Sequence, residues 1–189
     1  MTKKGLRKEY LSKRMLLDEA EQQKRIKEIG IHFKKICLSK AAFAMSYMAM
    51  AAKKEISPVL IEKAVVHQYP ECRLCYPKIG LADGRMEAIE HAVGMDMSIN
   101  IWGIKEPESN RVVDPQQIDV IIVPLLIFDK RGYRVGYGKG FYDRFIARCR
   151  PDVITIGLSF FEPVEKIEDL NEFDIPLGFC ITPERLYSF

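Results

Sequence analysis

Apolar residues follow two different rhythms along this chain. Near the start they recur every three or four positions: Leu6, Tyr10 and Leu17, then Ile26, Ile29, Phe33 and Ile36. That spacing puts each set on one helix face, so a basic helix is predicted over about residues 2–16 and a second over about 19–36. Asp18 stands where a side chain caps the second helix by accepting a backbone N–H. Further on the apolar residues run together or alternate. Residues 41–47, 73–76, 85–90 and 153–158 read as strands. The plainest strand is 120–125, an unbroken apolar run such as a sheet covered on both faces requires. Ser57-Pro58 predicts a cap followed by proline at the first helical position, with a helix to about Gln68. A further helix is predicted over 141–149, a loop over 106–115, and a loop with a last strand over 174–182. Strands alternating with helices predict a mainly parallel sheet in a three-layer α/β/α arrangement. The length fits one such domain over residues 1–189. Ligands of such sheets sit beyond the carboxyl ends of the strands.

Composition narrows the class. The chain is 48% hydrophobic and 29% charged, as ordinary globular proteins are. No apolar run approaches the roughly 18 residues of a membrane span, and the charged first fourteen residues lack a signal-peptide core. A cytoplasmic protein with no membrane partner is expected, with a monomer as the simplest state. A net charge of +3 is too small to argue for nucleic acid. Five cysteines, an odd number, argue against a disulfide framework. Cys72 and Cys75, with His67 nearby, leave two readings open: half a zinc site or redox pair, or ordinary thiols on a strand.

The candidate chemistry sits in Gly136-Tyr137-Gly138-Lys139-Gly140-Phe141-Tyr142-Asp143. Glycines bring backbone N–H groups close to an anion, and successive N–H groups make a phosphate cradle. Lys139 adds a point charge, with Arg131 and Arg134 upstream, and Asp143 is of the type that holds a hard cation such as Mg²⁺. The segment matches neither the P-loop nor the dinucleotide fingerprint. A glycine-rich hairpin turn is the plain alternative. Asp143 has one too, since an acidic residue suits the first turn of a helix, and Tyr142 would serve equally as a core aromatic.

The whole run from Val123 to Phe145 closely resembles the signature of the 5-formyltetrahydrofolate cyclo-ligases. Lys3-Lys4-Gly5-Leu6-Arg7 with Arg14, Glu55-Ile56-Ser57-Pro58, Gly103-Ile104-Lys105-Glu106-Pro107, Ile156-Gly157-Leu158, Asp174-Ile175-Pro176-Leu177 and Ile181-Thr182 follow in that family's order. The resemblance implies an enzyme converting 5-formyltetrahydrofolate and Mg-ATP to 5,10-methenyltetrahydrofolate, ADP and phosphate. It implies ATP contacts from Lys3, Lys4, Arg7 and the stretch Arg134, Gly136, Tyr137, Gly138, Lys139, Gly140, Phe141 and Tyr142. Within that stretch Arg134, Lys139 and Tyr142 would act in catalysis. Asp143 and Asp174 would hold Mg²⁺; Met50, Glu55, Glu106 and Tyr142 would meet the folate. Glu106 reads equally well as a structural carboxylate before a turn proline. A small-molecule kinase with the same loop, and a nucleotide-sensing or nucleic-acid-binding protein without turnover, are the competing readings.

Overall fold

The computed structural model describes residues 1–38, 41–80, 84–91, 96–101, 103–109 and 111–189. In chain order the elements are α1 (Lys3–Leu16), α2 (Glu19–Phe33), β1 (Phe43–Met45), α3 (Val59–Gln68), β2 (Arg73–Ile79), β3 (Met86–Glu90), β4 (Met97–Ile99), β5 (Lys105–Pro107) and β6 (Val112–Val113). There follow β7 (Val120–Pro124), β8 (Ile127–Phe128), β9 (Arg134–Val135), α4 (Phe141–Ile146), β10 (Ile154–Leu158), β11 (Phe179–Ile181) and β12 (Leu186–Ser188). Eight strands form one sheet in the order β12-β11-β10-β7-β1-β2-β3-β6. The middle five, β11 through β2, pair in parallel. The edges are antiparallel. This is the expected α/β sheet.

Strand β7 shows why its sequence is apolar throughout. Val120 and Ile122 face the layer formed by Ile29 and Phe33 of α2 and Ile61 and Val65 of α3. Ile121 and Val123 face the other way, against Phe145 and Ile146 of α4. Both faces are dry, so alternation disappears from the sequence. Helix α1 belongs to neither layer. Its Leu6, fully buried, packs with Ile127, Val135 and Ile167, which seats the helix on the β8–β9 hairpin. Asp18 caps α2 as expected, accepting the Glu21 N–H at 2.8 Å.

Several expectations change. Helix α3 begins one residue later than the Ser57-Pro58 signature suggests: Pro58 is the capping position, and no side chain caps it. The Pro58 carbonyl takes the first helical bonds from Ile61 and Glu62. Helix α4 ends at Ile146, because bonds from Arg148 to Phe145 and from Cys149 to Ile146 tighten the chain into turns. The expected loop over 106–115 includes the end of β5 and all of β6, and ends where a turn of 3₁₀ helix begins at Pro115; strands of two or three residues are too short to carry a period. Cys72 packs with Ile122 on one face of the sheet, whereas Cys75 packs with Ile121 on the other. Cys72 lies just before β2 and Cys75 within it, and their side chains enter the two separate cores on opposite faces of the sheet, so they form neither half a zinc site nor a redox pair. Burial pushes both thiols up, Cys72 to about 11. Among the described residues no helix is long and apolar enough to cross a membrane.

Candidate active site

A cleft of about 590 Å³ opens at the carboxyl ends of the parallel strands. Tyr47 and Met48 follow β1, Ile79 closes β2 and Pro124 closes β7, and all four line it. The glycine loop forms one wall, and α1 reaches over it.

The loop is aimed by the hairpin before it. Asp129 is fully buried and accepts N–H groups from Arg131, Tyr133 and Ile167, besides an ion pair with Arg131. Gly132 turns the hairpin at φ +85°, where a Cβ would fall 2.8 Å from the Phe189 ring. The hairpin expected as an alternative to a phosphate loop is therefore present, and the glycine run is a separate feature that follows it. Arg7 of α1 donates from Nε to the Gly136 carbonyl at 2.8 Å. Gly138, at φ +86°, lets that guanidinium lie against the loop: a Cβ there would sit 2.9 Å from Arg7 Nη2. Among the described residues, no protein acceptor takes a backbone N–H of residues 136–140. Five successive donors without partners are what a bound anion would satisfy. Lys139 is exposed at the rim, its ammonium unpaired by any described residue.

Two ion pairs cross the cleft wall. Arg134 donates to Asp143 Oδ1 at 2.9 Å and to the Ile175 carbonyl at 2.8 Å, with only 6% of its side chain exposed. The Ile175 N–H also reaches Asp143 Oδ1, at 3.1 Å. Lys3 pairs with Asp174 Oδ2, which accepts the Asn171 N–H as well. Each carboxylate thus has one oxygen engaged by the protein and one without a partner among the described residues.

The opposite wall carries the expected folate residues. Met50 and Glu55 flank a 3₁₀ turn over Ala51–Lys53, and Glu55 Oε2 accepts the Met50 N–H at 2.7 Å. Glu55 Oε1 accepts the Tyr137 hydroxyl at 2.6 Å. Burial pushes the Tyr142 hydroxyl well up, with the Glu55 charge adding to it, so that phenol keeps its proton. Glu106 lines the cleft but is buried. Its Oε1 accepts the Ile79 N–H at 2.9 Å and the Asn100 amide at 2.7 Å, which ties β5 to the end of β2. The structural reading of Glu106 is therefore realised, alongside its place in the wall.

Of the residues given a site role from the sequence, all but Lys4 line this cleft; Arg131, read as charge upstream of the loop, is paired with Asp129 instead, and Arg14 of the basic helix lies outside the lining. Lys4 is exposed near the start of α1, one residue off the face that carries Lys3 and Arg7; positions i and i+4 share a helix face and i+1 does not. Sequence reasoning missed Asn171 and Lys53. Lys53 lines the cleft with its ammonium 4.1 Å from the Tyr137 ring centre. Neither lies in a patterned segment, and only the folded chain brings them in.

A cleft beyond parallel strands, walled by a glycine loop and lined with paired charges, defines a small-molecule enzyme of the α/β class. Residues 1–182 match the model of the 5-formyltetrahydrofolate cyclo-ligase family, so the chain belongs to that family and is a ligase. A 5-formyltetrahydrofolate cyclo-ligase of Mycoplasma pneumoniae is 27% identical over 187 residues, 97% of this chain and 100% of that one. One from Mycoplasma genitalium is 32% identical over 74 residues, 39% of this chain and 45% of that one. The solved structure of Aquifex aeolicus 5,10-methenyltetrahydrofolate synthetase superposes with a TM-score of 0.79 at 26% identity. It covers all of this chain and 93% of that one.

Proposed function

We propose that this protein converts 5-formyltetrahydrofolate to 5,10-methenyltetrahydrofolate at the expense of ATP, releasing ADP and phosphate, with Mg²⁺ required. The observation that carries this reading is one cleft holding both halves of the problem. Unpaired loop N–H groups with Arg7 and Lys139 lie on one wall, and Met50, Glu55 and Tyr142 lie on the other. The chemistry needs both. A formyl oxygen is a poor leaving group until phosphorylated, so the formyl oxygen attacks the γ-phosphate and ADP departs. The second folate nitrogen then attacks the activated carbon, closes the ring and expels phosphate. The protein's part is positioning and neutralisation of phosphoryl charge.

In this reading the N–H groups of 136–140, Arg7 and Lys139 take the phosphates. Arg134 adds charge from behind while it holds Asp143. Lys3 joins the phosphate contacts from Asp174. Met50, Glu55 and Tyr142 hold the pterin side, and buried Glu106 shapes the wall. Asp143 and Asp174, each with one uncommitted oxygen, suit Mg²⁺, which commonly takes one or two carboxylates and completes its shell with water and phosphate. When bound, the ion neutralises the triphosphate. Among the described residues no group of three or more metal-ligating side chains competes with this pair. The test is an absorbance assay with 5-formyltetrahydrofolate, Mg²⁺ and ATP. Methenyl product and ADP appearing together, only with both substrates, is the expected result. ADP without methenyl product would transfer the loop to another acceptor, and neither product would favour a binding role.

A further inference from the structure

Behind the cleft lies a buried arginine that the reaction as described does not use. Arg14, on α1, has 3% of its surface exposed and does not line the cleft. Its Nη2 donates to the Tyr137 hydroxyl, and its Nη1 reaches the Leu125 carbonyl at 3.4 Å. Its Nε is buried without a hydrogen-bond partner. Keeping a guanidinium there is costly, and a helix packed by Leu6 does not need it. The Tyr137 hydroxyl in turn donates a hydrogen bond to Glu55 Oε1 at 2.6 Å. Burial, reinforced by Glu55, pushes that phenol well up, so it stays a donor. The bonds therefore run one way, from Arg14 through Tyr137 to Glu55.

We propose that Arg14 is a positioning residue: acting through the Tyr137 hydroxyl, it fixes the Glu55 carboxylate for the folate, and so ties α1 and the glycine loop to the pterin side of the cleft. This rests on the function proposed above. With Oε1 held by Tyr137 and Oε2 by the Met50 N–H, Glu55 has one orientation. Its remaining lone pairs are left for donors in the cleft. The Tyr137 ring, part of the loop first ascribed to the nucleotide, serves the other substrate with its hydroxyl.

The test uses the full chain and two variants, Arg14→Met and Tyr137→Phe. The second keeps the ring under Lys53 and removes one oxygen, so it answers the question even where the first fails to fold. Losing a charge-assisted hydrogen bond is worth about ten- to a hundredfold. The expected result is a folate KM raised by about tenfold in both variants, with ATP KM moved less than about twofold. In the Glu55→Gln background, adding Tyr137→Phe should change folate KM little further, because the two act as one unit. An unmoved folate KM, an equal loss for both substrates, or full additivity with Glu55→Gln would overturn the proposal. A wild-type protein that forms no methenyl product would overturn the function itself. An active wild type with unaffected variants overturns only the relay.

Discussion

The two ends of the sheet each hold an arginine–aspartate pair, and the pairs are built differently. At the amino end, Asp119 precedes β7 and is 3% exposed. It accepts the Ala42 N–H at 2.6 Å, the Phe43 N–H at 3.1 Å and the Arg150 guanidinium. Its Oδ2 locks the start of β1 beside β7, and its Oδ1 is taken by Arg150. At the carboxyl end, Asp143 has both its donors on Oδ1, and its other oxygen has no partner among the described residues. The same residue types thus make a saturated clamp at one end and a carboxylate with one oxygen uncommitted at the other. Buried acceptors are ordinarily satisfied, so Asp119 needs no role beyond structure, whereas the open oxygen of Asp143 at the cleft is what the proposed Mg²⁺ role would use.

The largest expected effect comes from removing the charge of Asp143. Asp143→Asn keeps an oxygen for Arg134 and Ile175 and loses the ionised carboxylate. We expect kcat/KM to fall about a hundredfold or more, the Mg²⁺ titration to move to higher concentration, and the melting temperature to stay within a few degrees. Steady-state rates against Mg²⁺, with a thermal melt, read both. A variant that melts early and works normally would make Asp143 a second clamp and end the contrast.

Asp119→Ala is the converse. It orphans two N–H groups and leaves Arg150 without its buried partner. Arg150 keeps contact with exposed Asp152 and with solvent, which moderates the cost to about 2 kcal/mol. That lowers the melting temperature by roughly 4–8 °C in a chain of this size. Turnover per folded molecule should not change. Urea unfolding and active-site-normalised rates distinguish the two effects.

How much of this was legible beforehand follows from distance along the chain. The block from Val123 to Phe145 is contiguous, so its glycines, Lys139 and Asp143 could be read as a unit. So could the helices, whose apolar spacing survives any tertiary arrangement. The pairings across the cleft could not. Lys3 and Asp174 are 171 residues apart, and Glu55 and Tyr137 are 82 apart. Strand order decides whether they meet, and nothing in the spacing encodes that order. Asp119 went unnoticed for the same reason, because its partners Ala42 and Phe43 lie in another strand region. The edge strands β4, β5, β6 and β12 were missed because two or three residues cannot show alternation.

A smaller effect is expected where the glycine loop meets α1. Gly138→Ala must hold an L-residue at φ +86° and push the Arg7 guanidinium away from the loop. The strain costs about 1–2 kcal/mol. Displacing Arg7 should raise ATP KM about tenfold while folate KM stays nearly constant. Gly136→Ala is the control, since a Cβ there meets nothing within 4 Å and its φ is ordinary. Equal effects from both substitutions would remove Arg7 from the explanation.

The smallest effect is a pH dependence confined to the clamp. Burial by itself would raise the Asp119 pKa. The hydrogen bond from Arg150 and those from the Phe43 and Ala42 N–H groups outweigh it and hold the carboxyl below its usual range. A carboxyl that ionises more easily when folded contributes stability above its unfolded pKa of about 3.9. That contribution disappears as pH falls through the lower, folded value. Between pH 7 and about 4 the stability gap between wild type and Asp119→Asn should therefore stay constant. Below about 4 it should narrow, because the wild-type clamp becomes neutral while the variant has nothing to titrate there. Urea midpoints for both proteins across that range give the answer. A gap that closes already near pH 6 would mean that a group other than Asp119 governs the acid limb, and that the amino-end pair is not the saturated clamp its hydrogen bonds describe.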